Sequence, residues 1–117
     1  MSDASIMDSG FRRGVFSISE YIDKGFINDK TFEASSSPDL IFEIVRKEQI
    51  DSLMENFTVS RLHFIATDLY TNHMRDAVDA MSAELFELYL KYHFAVCERS
   101  DMIGLTHHSL DIFRKEK

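Results

Sequence analysis

Two segments of this chain have the composition and residue alternation of β-strands, at about residues 60–66 and 109–114. The residues between them follow helical periodicity instead. Apolar side chains occur on both faces of the first segment, which is typical of an interior strand of an α/β sheet. A strand pair alone is marginally stable in water, because it leaves two unpaired edges and little covering surface. We therefore expect the pair to pack beneath helices, or to be completed by strands from a second molecule or from a missing half.

Composition is that of an ordinary globular domain, or of part of one. The 117 residues are 44% hydrophobic and 28% charged, and ten phenylalanines argue against disorder. The net charge of −7 disfavours nucleic acid as a partner, because phosphates are repelled. No apolar run is long enough to cross a membrane, and the single cysteine, Cys97, fits a reducing compartment. We expect a cytoplasmic protein without membrane or nucleic-acid partners.

Apolar periodicity and capping residues predict about five or six helices, so the fold class is α/β-derived but predominantly helical. Ser17 and Glu20 have the spacing of a capping box, and Ser82 is a suitable N-cap for the most strongly periodic helix. Leu88 lies in the wide apolar surface of that last helix and is expected to be buried. The predicted helices cover about residues 3–13, 18–24, a segment starting at Pro38, 48–56, 69–81 and 83–98. We divide this single partial domain into a helical cap segment, 1–58, and a strand–helices–strand segment, 59–117.

Several short blocks occur in an order and spacing that resemble a known enzyme family across the whole chain. Near the N-terminus they are Phe11-Arg-Arg-Gly-Val-Phe16 and Glu20-Tyr-Ile-Asp-Lys-Gly25. The later blocks are Leu62-His-Phe-Ile-Ala-Thr-Asp68, Asn72-His-Met-Arg75, Glu87-Leu-Tyr-Leu-Lys-Tyr-His-Phe94, Cys97-Glu-Arg99 and His107-His-Ser-Leu-Asp-Ile-Phe-Arg114. Together they resemble the C-terminal part of bacterial class I S-adenosylmethionine-dependent methyltransferases of the small-molecule type.

The resemblance implies that the two strands are the sixth and seventh of a seven-stranded Rossmann-like sheet, with the seventh strand antiparallel beside the fifth. S-adenosylmethionine is the cofactor of the complete enzyme, and the small-molecule substrate is held together with the missing N-terminal half. The glycine-rich strand-to-helix loop that binds this cofactor does not occur in the sequence. We therefore assign no catalytic or cofactor-binding residue, and we expect the chain alone to be inactive and not to bind cofactor.

The resemblance also predicts which residues lie near a substrate. Ligands of such sheets bind outside the carboxyl ends of the parallel strands. The candidates for the substrate pocket follow the fifth strand, follow the sixth strand or precede the seventh, namely Asp3, Ser5, Asp68, Tyr70, His107 and His108. Either histidine is alternatively structural or solvent-facing. We expect no metal site, because adjacent residues of a strand point in opposite directions and no helical histidine pair accompanies them.

Two alternatives remain open from the residues. Arg12 and Arg13 either clamp an anionic substrate or, more usually for such a pair, face solvent at a helix end. The whole chain is alternatively a stand-alone helical interaction module that dimerises through its exposed strand edges. This alternative does not require the missing N-terminal half that would bind the cofactor, and it predicts a homodimer.

Overall fold

The structure is a computed structural model that describes residues 2–35, 38 and 43–117. Within these residues the fold is α/β, with five α-helices and one two-stranded antiparallel sheet. The helices are α1 (Asp3–Ser5), which continues into a π-helical segment (Ile6–Arg12), α2 (Ile18–Asp23), α3 (Lys47–Met54), α4 (Arg75–Asp79) and α5 (Ala83–Val96). The strands are β1 (Val59–Ala66) and β2 (Ser109–Lys115), and a 3-10 turn (Ile103–Leu105) precedes β2. No helix in these ranges has the length and apolar character needed to cross a membrane.

The strand pair confirms the two predicted strands to within one residue at each end. β1 and β2 pair from Val59 opposite Lys115 to Ala66 opposite Ser109, with one irregularity in the register. At the end of β1, the backbone N–H of Ala66 donates to the Cys97 carbonyl at 2.8 Å, which ties the sheet to the end of α5. Because the strands are antiparallel, the exit of β1 and the entrance of β2 lie at the same end of the sheet.

Serine hydroxyls begin two of the helices as the sequence predicts. The Ser82 Oγ accepts a hydrogen bond from the Leu85 N–H at 3.2 Å, and the Ser17 Oγ accepts one from the Glu20 N–H at 3.2 Å. Each bond satisfies a backbone donor that has no partner inside the helix. The Glu20 carboxylate, which was expected to complete a capping box, instead accepts from Lys24 Nζ at 2.6 Å.

The helix predicted over residues 69–81 is much shorter in the structure. Only α4 is helical, and residues 69–74 form turns. Leu69 has a positive φ of 41° and is only 1% exposed. The backbone N–H groups of Asp68 and Leu69 both donate to Thr106 Oγ1, at 3.2 Å each. Burial of Leu69 and these long-range bonds therefore override the helical periodicity of this segment.

The helix predicted to start at Pro38 falls mostly on residues 36–37 and 39–42, which lie outside the described residues. Two of its later apolar positions, Ile44 and Val45, are in an irregular segment rather than a helix. The next helix, α3, begins where the sequence predicts. There the Arg46 N–H donates to Gln49 Oε1 at 2.7 Å.

The buried apolar core of the described residues is small and lies at the exit of β1. It is formed by Ala66, Leu69 and Cys97, and three further apolar residues, Ala4, Ile6 and Ile27, are also buried. In contrast, α5 has no buried residue. Leu85, Leu88 and Tyr92 lie on one side of α5, and we call them the exposed α5 face. The expectation that Leu88 is buried is wrong, because it is 62% exposed and no described residue covers this face.

We expect Leu88→Asp to lower the free energy of unfolding of this chain by less than about 1 kcal/mol, which is the scale of exposed helix substitutions. The matched control is Leu69→Asp, which puts the same charge into the core and should unfold the chain. Thermal melting followed by circular dichroism compares the two variants with the unaltered chain. An equally large loss in both would mean that a second copy covers the exposed α5 face in solution.

Candidate functional site

Two segments of the chain form the walls of an open cleft of about 510 Å³. One wall is the π-helical segment with the residue that follows it. The other wall is the turn that leads into α4, together with the start of that helix. The lining residues are mostly polar and include three arginines: Asp8, Arg12, Arg13, Asn72, His73, Met74, Arg75, Asp76 and Ala77. We call this the arginine cleft.

Asp8 is the buried anchor of the arginine cleft. The Arg13 N–H donates to the Asp8 carbonyl at 2.8 Å, a five-residue spacing that defines the π-turn. This wide turn brings two consecutive arginines over one carboxylate, whose side chain is only 1% exposed. Arg13 Nε lies 2.9 Å from Asp8 Oδ2, and Arg12 contacts Oδ1. Burial by itself raises the pKa of Asp8, but the two guanidinium groups hold it below its usual value.

Two histidines approach Asp8 from the other side. Nε2 of the buried His107 lies 3.6 Å from Asp8 Oδ2 and has no hydrogen-bond partner among the residues described. His73 Nδ1 lies 3.9 Å from Asp8 Oδ1, and the two imidazole rings meet edge to face at 5.2 Å. Burial lowers the pKa of His107, although the carboxylates of Asp8 and Asp68 oppose this shift. The lowered pKa favours the neutral form of the His107 imidazole.

These contacts bring together a set of metal-ligand types that the sequence did not reveal. One oxygen of Asp8 and one nitrogen each of His73 and His107 lie within 4.8 Å of one another. A carboxylate with two imidazoles is a ligand set used for zinc and iron. Here, however, the carboxylate already pairs with Arg12 and Arg13, and a cation would have to compete with both charges. The absence of a metal site therefore stays a prediction, and the local charge supports it.

Asp68 joins the exit of β1 to the entrance of β2. Its Oδ1 accepts from the backbone N–H groups of His107 at 2.9 Å and His108 at 3.3 Å, and it also contacts Thr106 Oγ1. Its Oδ2 accepts from Asn72 Nδ2 at 2.8 Å and lies 3.0 Å from His108 Nδ1. Burial raises the pKa of Asp68, but the hydrogen bonds from Thr106 and His108 outweigh it and hold the pKa below its usual value.

The structure brings three of the six predicted pocket residues together, because Asp68 contacts both His107 and His108. These three adjoin the arginine cleft without lining it, since Asn72 and Asp8 lie between. In the described part of the chain, the other three make no hydrogen bond or ion pair with Asp68, His107 or His108. Asp3 pairs with Arg46 at 3.0 Å on the surface, Ser5 is fully buried, and Tyr70 is 37% exposed.

Sequence reasoning missed Asp8 and His73 as site residues. Asp8 becomes a site residue only through the π-turn and through contacts with residues that are distant in sequence, and neither has a local pattern. Two signals pointed toward the site. The pair Arg12 and Arg13 had been considered as an anion clamp, and the block Asn72-His-Met-Arg75 contributes four consecutive residues to the cleft.

Comparisons with protein-family models, curated proteins and solved structures find no match to this chain. Its function must therefore be argued from its own residues. Three features bear on it: the arginine cleft, the Asp68 cluster and the exposed α5 face.

Proposed function

We propose that this chain is the C-terminal substrate-cap and sheet-edge portion of a class I S-adenosylmethionine-dependent methyltransferase that acts on a small molecule. The observation that carries the proposal is the antiparallel pairing of β1 with β2 across a long helical connection that starts and ends beside the arginine cleft. In the proposed Rossmann-like sheet, β1 is the sixth strand and β2 the seventh. The motif resemblance supplies the family, and the strand pairing fits its last two strands.

The position of the cleft supports a role in substrate binding. In open α/β sheets, ligands bind outside the carboxyl ends of the strands. Asp68 follows the carboxyl end of β1, and its carboxylate accepts a hydrogen bond from Asn72 Nδ2 at 2.8 Å, which fixes Asn72 in the cleft wall. The chain's contribution is then to hold the acceptor atom of the substrate in line for methyl transfer, since positioning supplies much of an enzymatic rate.

The exposed α5 face and the strand edges support the presence of a second polypeptide layer. Contiguous exposed apolar side chains usually mark a contact site. The described sheet has only two strands, so β2 has an unpaired edge that is available to the proposed fifth strand. The sequence has no glycine-rich cofactor loop, so we assign cofactor binding to the other half and no catalytic step to this chain.

Photochemical labelling tests the proposal. The native protein is purified from its source cell with an antibody against these residues, and then irradiated with methyl-tritiated S-adenosylmethionine. We expect a labelled band well above 13.6 kDa, and no label in the recombinant 117-residue chain. Excess unlabelled S-adenosylmethionine is the control and should abolish the label. An unlabelled native protein, or a labelled 117-residue chain, would refute the proposal.

The two-stranded sheet equally favours one rival, the stand-alone helical interaction module that dimerises through its exposed strand edges, and the exposed α5 face adds apolar surface that a second copy could cover. The rival predicts a homodimer of twice 13.6 kDa for the native protein. Light scattering together with a denaturing gel on the same antibody-purified sample distinguishes the two. The methyltransferase proposal requires a polypeptide longer than 13.6 kDa on the gel, whereas the rival requires a 13.6 kDa polypeptide in a particle of twice that mass.

A further inference from the structure

We propose that the arginine cleft binds an anionic group, a carboxylate or a phosphate, of a small-molecule ligand. That this ligand is the methyl acceptor rests on the proposed function, but the anion site itself does not. The site consists of Arg12, Arg13 and Arg75, with Asn72 beside them.

Charge is the first argument. The chain has a net charge of −7, yet the cleft has three arginines against two aspartates. Asp8 pairs with Arg12 and Arg13 and offsets one of the three positive charges, and Asp76 offsets another, so the lining keeps a net charge of +1. Since low-dielectric walls focus the field of the remaining charge, the cleft favours an anion over a cation.

The second argument concerns hydrogen-bond donors. A guanidinium has five N–H groups in a fixed planar fork that matches a carboxylate or phosphate. Arg12 contacts Asp8 through Nε and Nη2, whereas Arg13 uses Nε for Asp8 and Nη2 for Ser9. Within the described ranges, Nη1 of both residues has no hydrogen-bond partner. Both forks are thus held in place by Asp8 while part of each stays available to a ligand.

Arg75 is the third argument, because it lies on the opposite wall and its guanidinium makes no hydrogen bond or ion pair with any described residue. Its guanidinium is therefore available to a ligand without breaking an existing interaction. Asn72, next to it in the wall, has its side-chain amide fixed by Asp68. A ligand in the cleft is then approached from two walls by charged donors that belong to separate elements of the fold.

The test is a nuclear magnetic resonance titration of the nitrogen-15-labelled protein at the length the source cell makes, first with inorganic phosphate and then with malonate. We expect saturable shifts of the Asn72, His73 and Arg75 amide signals. Saturation by one anion alone identifies that group as the ligand chemistry, and saturation by both indicates the shared oxyanion. Arg75→Ala should weaken binding about tenfold, and Arg75→Lys should weaken it less because it keeps the charge.

The matched control is Arg114→Ala, which removes an equal charge near the far end of β2 and should leave binding unchanged. Equal weakening by Arg75→Ala and Arg114→Ala, or no saturation with either anion, would overturn the proposal. The methyltransferase proposal fails separately. Anion binding without photochemical labelling refutes only methyl transfer, and labelling without anion binding refutes only the anion site.

Discussion

Replacing Arg12 and Arg13 together by alanine is expected to lower the free energy of unfolding at pH 7 by about 3–5 kcal/mol. The reason is that Asp8 is almost completely buried and both arginines contact its carboxylate. Without them, a carboxylate remains inside the protein with no cation to offset its lost hydration. Urea denaturation of the double variant and of the unaltered chain at pH 7 gives the difference.

The loss should shrink in acid. In the unaltered chain the pKa of Asp8 lies below the ordinary value of 3.8 for an aspartate. The stability that the ion pairs of Asp8 contribute is therefore fully present above pH 3.8 and declines as the pH falls through the folded-state pKa. In the double variant burial raises the pKa of Asp8, so the carboxyl takes up a proton at higher pH and the penalty is relieved. Adding Asp8→Asn to the double variant should therefore restore stability at pH 7. An equal loss at pH 7 and at pH 3 would contradict this explanation.

Asp68→Ala is expected to cost about 3 kcal/mol, because each buried donor left without an acceptor costs about 1–3 kcal/mol. The backbone N–H groups of His107 and His108 both donate to Asp68 Oδ1, and Asn72 donates to Oδ2. Denaturant unfolding measures the overall loss. Amide hydrogen exchange measures the local effect, which should be faster exchange at His107 and His108.

Asp68→Asn is the matched control for this substitution. The asparagine keeps one carbonyl oxygen that can replace Oδ1 and still accept both backbone bonds, so we expect less than half of the alanine loss. Exchange at His107 and His108 should stay slow in this variant. If alanine and asparagine destabilise the chain equally, the charge of Asp68 rather than its bonds to the backbone holds the two strand ends together.

The parts of the fold that sequence predicted correctly depend on local patterns. β1 and β2 alternate apolar residues, and α5 begins at a serine N-cap, so each could be located from neighbouring residues alone. The turn at Leu69 could not be, because it depends on Thr106, which is distant in sequence. Sequence also cannot tell whether a helix is buried. Periodicity identifies an apolar face, but whether that face is covered depends on residues that are distant in sequence.

The candidate site was predicted in part for the same reason. The family resemblance placed the entrance of the seventh strand beside the exit of the sixth, and the structure does bring Asp68, His107 and His108 together. Their role in a substrate pocket stays a prediction. Asp8 was missed because a regular α-helix brings residues four apart together, so it would place Arg12 but not Arg13 beside the Asp8 side chain. The π-turn changes this spacing, and five-residue turns have no reliable sequence pattern.

The pairing of β1 with β2 has a consequence for how the chain folds. Even the nearest partners, Ala66 and Ser109, are separated by the whole of α4 and α5, so the sheet consists entirely of contacts between residues that are distant in sequence. Closing so long a loop costs entropy before any strand bond forms, whereas α5 needs only local bonds. We therefore expect α5 to form early and the strands to join in the slow step, with Asp68 closing the loop at its base.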